Sequence, residues 1–239
     1  MIVNTSIVSC RASLLTLVLI LLCTSRAVPS HAASSLIDFE EIPSIKPETT
    51  NGLQAFFQTL DYDWAELEGG VPLLILENIP YDIDQIASIK TKKRAFFMGL
   101  LPMVLLANLE IKKERADVQQ ILSRHRAGQL QDGDLERLEK ILKRYGLRGH
   151  PLTDHRTRTR LLRRVDTIPP SLVLAQAANE SAWGSSRFAR LGNNLFGEWT
   201  YKPGTGIIPA GRPAGATYEV RKFSSLYQSI RSYMNNLNP

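Results

Sequence analysis

Residues 171–197, SLVLAQAANESAWGSSRFARLGNNLFG, place one carboxylate, Glu180, among amides and aromatics near the end of an apolar segment. A carboxyl in that setting is built for proton transfer. At about 100° per residue, Leu172, Val173, Leu174, Ala175, Ala177, Ala178 and Ala182 surround most of a helix, so little of it is free to face water. The exceptions, Gln176, Asn179 and Glu180, share one wedge with Leu172 and Trp183 at its margin. A solvated face would carry Lys, Glu and Arg, so this wedge reads as an amide-lined cleft. Pro169 and Pro170 pre-set a first turn near Ser171, and Gly184 is suited to close the helix after Trp183. Glu180 then lies in the last turn, where the negative end of the helix and the bulk of Trp183 would both disfavour ionisation and suit a general acid.

The runs LAQAANESAWG and NNLFGEW resemble the glucosaminidases of glycoside hydrolase family 73, most closely their bacterial Bax-type branch. The likeness is strong over residues 154–237. A looser likeness runs from VPLLILENIP at Val71 through KKRAFFMGLLPMVLLANLEIKKER. It implies a lysozyme-like fold cleaving the peptidoglycan bond after N-acetylglucosamine, with Glu180 at the position of the family's acid. Residues 201–223, punctuated by Gly204, Gly206, Pro209, Gly211, Pro213 and Gly215, read as a small β-rich lobe. In ATYEVRKF, alternation sets Ala216, Tyr218 and Val220 against Thr217, Glu219 and Arg221. In the resembled family a glutamate on such a lobe assists the water or the sugar acetamido group, which makes Glu219 the second carboxylate. The bland alternative is a surface glutamate paired with Arg221 or Arg212, and Glu198 is a rival close to the motif. Gln176, Asn179, Trp183, Asn193, Asn194, Phe196, Trp199 and Tyr218 are the expected substrate contacts. Amides bond hydroxyl and acetamido groups, and aromatic faces cover the apolar side of a pyranose. Loop capping and core packing compete for Asn193, Asn194, Phe196 and Trp199.

The elements that must hold this site are mostly helical. The fold expected is mainly α: a lysozyme-like helical domain with a small β-rich lobe at 151–239, preceded by a helical region at 84–150. Residues 33–83 read as a flexible tether, to about 51, and a short strand region around 71–76. One helix is expected over 84–100, and Pro102 starts or kinks a second whose core stripe is Leu101, Val104, Leu105, Asn108 and Ile111. Asn108 reads either as a buried amide satisfied by backbone or as a cleft residue. A turn at Asp132-Gly133 and a cap at Asp134 open a helix over 135–145. Tyr227, Ile230, Tyr233, Met234 and Leu237 form a stripe that needs an apolar partner. Members of the resembled family continue through further helices with a tyrosine bordering the cleft, so an incomplete C-terminal side is expected.

Residues 1–32 read as a signal peptide, with Arg11 before the apolar run 14–23 and Ser30-His31-Ala32 as a cleavage site. Export to the periplasm or cell envelope follows, with membrane contact only through an uncleaved leader. A lipid anchor on Cys23 would require a small residue where Leu22 stands. Cys10 and Cys23 both fall in the leader, so the remaining chain has no disulfide and packing must hold it. The chain carries 29 basic and 23 acidic residues. Loss of Arg11 and Arg26 leaves a mild positive balance, compatible with anionic peptidoglycan glycan strands. TRTRLLRRV, at 157–165, has no interleaved aromatics, so nucleic acid is not an expected partner. His125, His150 and His155 lack metal-ligand spacing, and no GxSxG elbow or dinucleotide loop occurs, so neither metal nor cofactor is expected. The classes left are a glucosaminidase, a lytic transglycosylase, and a catalytically weak wall-binding or scaffolding module.

Overall fold

The computed structural model describes residues 42–238, and the leader read at residues 1–32 lies outside them. The elements run β1 (Ser44–Ile45), α1 (Thr50–Thr59), a 3-10 segment (Trp64–Gly69), β2 (Ile75–Leu76), α2 (Ile89–Arg126), α3 (Asp134–Arg144) and α4 (His155–Arg164). They continue through α5 (Pro170–Glu180), α6 (Arg187–Gly192), β3 (Trp199–Thr200), β4 (Gly206–Ile207), β5 (Glu219–Arg221) and α7 (Leu226–Leu237). The architecture is mainly α with a small β lobe.

Much of the stretch read as a tether is built into the fold. From residue 42 onward it supplies β1, which pairs in parallel with β2, and α1, which packs on α2. Composition misled because two features hold this segment that composition does not report. Thr49 caps α1 by accepting from Gly52 N–H. The N–H and hydroxyl of Thr50 both donate to Asp82, at 2.7 and 2.8 Å. Leu53 and Phe57 then enter the core.

α2 is the spine. Ser88 caps its start, and it runs unbroken through Pro102, where two helices were expected. Proline lacks the N–H that would bond the Met98 carbonyl one turn back. The Tyr62 hydroxyl donates to that carbonyl instead, at 3.3 Å and away from water. Burial pushes the Tyr62 phenol well above its usual range, so it remains a donor. Around this point the helix is walled on every side: Gly99 lies so near β2 that a Cβ would sit 3.0 Å from Leu76. α2 is also long and apolar enough to cross a membrane, but its most apolar stretch is largely covered by protein.

α2 serves two cores. Its first half packs with α1, α5 and α7 through residues such as Phe96, Met103, Val173, Ala177, Leu226 and Ile230. Its last turns join α3, α4 and Tyr145 through Val118, Ile121, Leu138, Ile141 and Leu161. The apolar stripe of α7 is thus covered by α2 and β2: Leu226, Ile230 and Met234 are buried, while Leu237 is exposed. Ion pairs add to the seam, with Arg231 of α7 bonding Glu110 of α2 at 2.7 Å. Tyr145 donates to Glu114 of α2 at 2.7 Å.

Asp134 does not cap α3. Gly133, with φ of 81°, occupies the cap, and Asp134 is the first helical residue, fully buried. Its carboxylate accepts from Arg124 (2.6 and 2.8 Å), Arg137 (2.6 Å) and the Gln131 N–H (3.0 Å). The Arg124 bond leads in holding it far below the usual carboxylate range. In the 157–165 run, Arg158 and Arg164 donate to backbone carbonyls, as does Arg115 of α2 to Leu162 and Val165. Arg156 and Arg160 stay exposed.

Candidate active site

α5 enters the core through Pro169 and Pro170, without a side-chain cap. The segment before it is held by Asn108, whose Nδ2 donates to the Ile168 carbonyl (2.8 Å) and whose Oδ1 accepts from Ile168 N–H (3.0 Å). Asn108 therefore positions α5 and takes no part in the cleft. Val173, Leu174, Ala177 and Ala178 are buried, Asn179 and Glu180 are exposed and Gln176 is half-buried. Leu172 and Ala175, expected in the apolar surround, are exposed as well, so the open side of α5 is wider than the polar wedge.

The helix ends sooner than expected. Glu180 is its last residue, and Ser181, buried, closes it by donating to the Ala177 carbonyl while accepting from Gly184 N–H. Ala182 and Trp183 both adopt left-handed backbone, with φ of 51° and 59°, ahead of Gly184 at 80°. Two consecutive side chains in that region are costly and persist only where surrounding contacts impose them. The contacts are visible. Gly184 presses on Phe96, where a Cβ would come within 3.2 Å, and Lys92 donates to Ser185 at 2.5 Å. The turn seats Trp183 edge-on against Phe96 and Phe97, at 5.9 and 5.1 Å between centroids.

Glu180 is solvent-exposed and accepts from Asn179 Nδ2 at 3.1 Å. The apolar shielding expected from Trp183 is absent, because that ring has turned onto α2. A different aromatic pair stands within electrostatic reach of Glu180. Tyr233 of α7 stacks on Phe196 at 3.9 Å and 5°. Its hydroxyl is pushed up first by burial and then by the charge of Glu180. By its spacing Tyr233 belongs only to a core stripe of α7. Its approach to Glu180 depends on how α7 docks, which no local pattern carries.

The amides read as sugar contacts divide. Asn194, 1% exposed, spends its whole side chain inside the protein. Its Nδ2 donates to the carbonyls of Glu198 and Arg221, both at 2.8 Å, and its Oδ1 accepts from Phe196 and Glu198 N–H. No capacity is left for a substrate, so that assignment is corrected: Asn194 pins the lobe to α6. Asn193, in left-handed conformation at the end of α6, donates to the Phe223 carbonyl at 3.3 Å and does similar work. Phe196 is buried, stacked on Tyr233. Trp199 is 51% exposed and leans on Tyr218 at 4.3 Å, so this pair does present an aromatic face.

The lobe is a three-stranded antiparallel sheet in the order β3-β5-β4, pairing Thr200 with Glu219 and Ile207 with Val220. Glu219 is neither exposed nor paired at the surface. It is 6% exposed, and its two oxygens accept from Gly204 N–H (3.0 Å) and Gly206 N–H (2.7 Å). These bonds, the Gly204 one foremost, hold its carboxyl below the usual range. Gly206 is required by closeness, since a Cβ there would lie 2.4 Å from the Val220 carbonyl oxygen. Glu198 is half-buried between lobe and α7. One oxygen accepts from Ser232 at 2.8 Å with Arg221 at 3.7 Å, and the Asn236 side chain also acts on the carboxyl. Burial pushes its carboxyl up.

Among the described residues no group of three His, Cys, Asp or Glu side chains gathers to hold a metal. A hollow of about 1020 Å³ exists at the second core, bordered by Leu138, Leu142, Leu147, His150 and Leu152, but it contains none of the motif residues.

Residues 158–239 match the glucosaminidase family described as mannosyl-glycoprotein endo-beta-N-acetylglucosaminidase. The chain is 35% identical over 160 residues to Protein bax of Escherichia coli (strain K12), an alignment covering 66% of this chain and 54% of that protein. The chain thus spans about half the length of the curated relative it matches. No solved structure gives a significant match.

Proposed function

Because this chain carries a Bax-type glucosaminidase domain, a glycoside hydrolase module, we propose that it is an exported peptidoglycan hydrolase cutting the glycosidic bond after N-acetylglucosamine. Glu180 is the general acid. The observation that carries this reading is the position of Glu180: the terminal residue of α5, open to solvent, bonded by the Asn179 amide and within one wedge of Gln176 and Asn179. Sugar rings rest on the exposed aromatic pair Trp199 and Tyr218, while Gln176 and Asn179 bond hydroxyl and acetamido groups.

The two lobe carboxylates do not complete a pair with it. Glu219 is spent on two backbone N–H groups and Glu198 faces Ser232. The reaction therefore runs with one protein carboxyl and the substrate's own acetamido group. Glu180 gives its proton to the leaving oxygen as the C1–O bond breaks, and the acetamido oxygen bonds C1 to form an oxazolinium ring. Water then adds to C1, reopens the ring and returns a proton to the Glu180 carboxylate. Glu219 acts by holding the lobe in place. A lytic transglycosylase would also need only one acid, but would leave an anhydromuramic end.

Digestion of purified sacculi followed by mass spectrometry tests the reading. New reducing N-acetylglucosamine ends, lost with Glu180→Gln, are expected. Anhydromuramic ends would replace the hydrolase by a transglycosylase, and binding without cleavage would leave a wall-binding module.

A further inference from the structure

An aromatic and basic shelf extends from Trp183, within the residues that match the family, onto the N-terminal part of the fold, outside them. Trp183 meets Phe97 of α2 at 5.1 Å, and Phe97 stacks on Trp64 of the 3-10 segment at 5.5 Å and 22°. Three rings thus stand in a row that begins three residues after Glu180. Trp64 is 40% exposed and Ile89, next to it, 69%. Burial normally removes such groups from water, and their gathering at one rim marks a surface made for contact. They border a hollow of about 620 Å³ whose remaining walls include Lys90, Lys93 and Arg94, with no carboxylate among the lining residues. Arg94 is ion-paired to Asp63, and Lys93 lies 4.6 Å above the Trp183 ring. Lys90 is exposed and makes no ion pair among the described residues.

Faces of Trp and Phe cover the apolar side of a pyranose, and ammonium groups at their edge bond carboxylates. We propose that this shelf is a binding site for an anionic glycan strand, stacking a sugar ring on the exposed Trp64, which Phe97 backs, and pairing Lys90 and Lys93 with the carboxylates carried on the strand's lactyl or peptide substituents. The inference rests on the glycan-cleaving function proposed above and deepens it. The shelf would set how far a strand reaches beyond the cut bond and would favour substituted strands over bare ones. Both features support this occupant over an apolar protein partner: the charged groups lining the hollow are all basic, and the ring row is continuous with the motif loop.

The test uses the full chain with Glu180→Gln, so that the probe survives, and calorimetric titration of two soluble probes. One is a peptidoglycan tetrasaccharide carrying peptide stems, and the other is chitotetraose, which has no carboxylate. Lys90→Glu is expected to weaken the stem-bearing probe about tenfold while leaving chitotetraose within about twofold. Trp64→Ala is expected to weaken both probes by about tenfold, in line with the loss of a stacking face. If Lys90→Glu leaves the stem-bearing probe unchanged, or weakens both probes equally, the shelf is not an anionic-glycan site. Lys90 is exposed and its replacement leaves the core intact, so this arm stands even if Trp64→Ala fails to fold. The outcome is separable from the proposed function. A chain that binds through the shelf but cuts nothing overturns only the hydrolase, and a chain that cuts sacculi with unaltered Lys90→Glu binding overturns only the shelf.

Discussion

Tyr62→Phe removes a single oxygen, the one that substitutes for the N–H missing at Pro102. The Met98 carbonyl it serves is buried in the spine helix, so loss of the hydroxyl leaves an acceptor without a donor. An unsatisfied buried polar group costs about 1–3 kcal/mol. The bond is 3.3 Å long, and the ring itself stays packed edge-on against Phe57 at 5.2 Å, so the low end applies, about 1 kcal/mol. For a domain of this size that is a fall of roughly 2–4 °C in Tm. Urea unfolding followed by helical circular dichroism measures it, and the partner variant Pro102→Ala decides its cause. With an N–H restored at position 102, Met98 has its helical donor, and Tyr62→Phe is then expected to cost less than about 0.5 kcal/mol. Cleavage per folded molecule should be unchanged, because neither residue reaches Glu180. Equal costs of Tyr62→Phe in both backgrounds would refute the idea that the phenol carries α2 through its proline.

Glu180→Gln is expected to retain the fold and glycan binding while hydrolysis falls by about 10²-fold or more, measured by sacculus turbidity and product mass spectrometry. Glu219→Gln presents an NH₂ to one of two backbone N–H donors, so it should loosen the lobe, raising protease sensitivity around residues 201–218. The rate should fall without the shape of the pH profile changing, since the residue positions and does not transfer a proton. Gly206→Ala, whose Cβ meets the Val220 carbonyl oxygen, should produce the same loosening, and a fully active, protease-resistant variant would contradict that role. Glu198 should make stability depend on pH. Its folded pKa lies above the ordinary value, so the unfolded chain releases the proton first, and stability declines as pH rises from about 4.3 through the folded value. Glu198→Gln should therefore match the parent near pH 4 and exceed it in urea resistance at pH 7–8.

What the residues and their spacing determined by themselves is largely local. The buried face of α5, the polar positions of Gln176, Asn179 and Glu180, the stripe along α2, the covered face of α7 and the glycine-punctuated lobe all follow from periodicity and turn chemistry. These are properties a segment expresses wherever it packs. The helical character was legible for the same reason, and the family likeness from the motif residues LAQAANESAWG and NNLFGEW. The docking of distant segments decided the rest. Pro102 fails to break a helix because Tyr62, forty positions earlier, supplies the donor. Trp183 leaves Glu180 unshielded because Phe96 and Phe97 receive its ring, and Tyr233 comes within the electrostatic reach of Glu180 because α7 lies along α2. Asn194 and Glu219 looked like substrate groups by type, yet buried backbone amides and carbonyls elsewhere in the lobe claim their hydrogen bonds first. A side chain's chemistry is set by its residue type, but whether that chemistry is free for a substrate depends on which unsatisfied backbone groups the fold brings within reach.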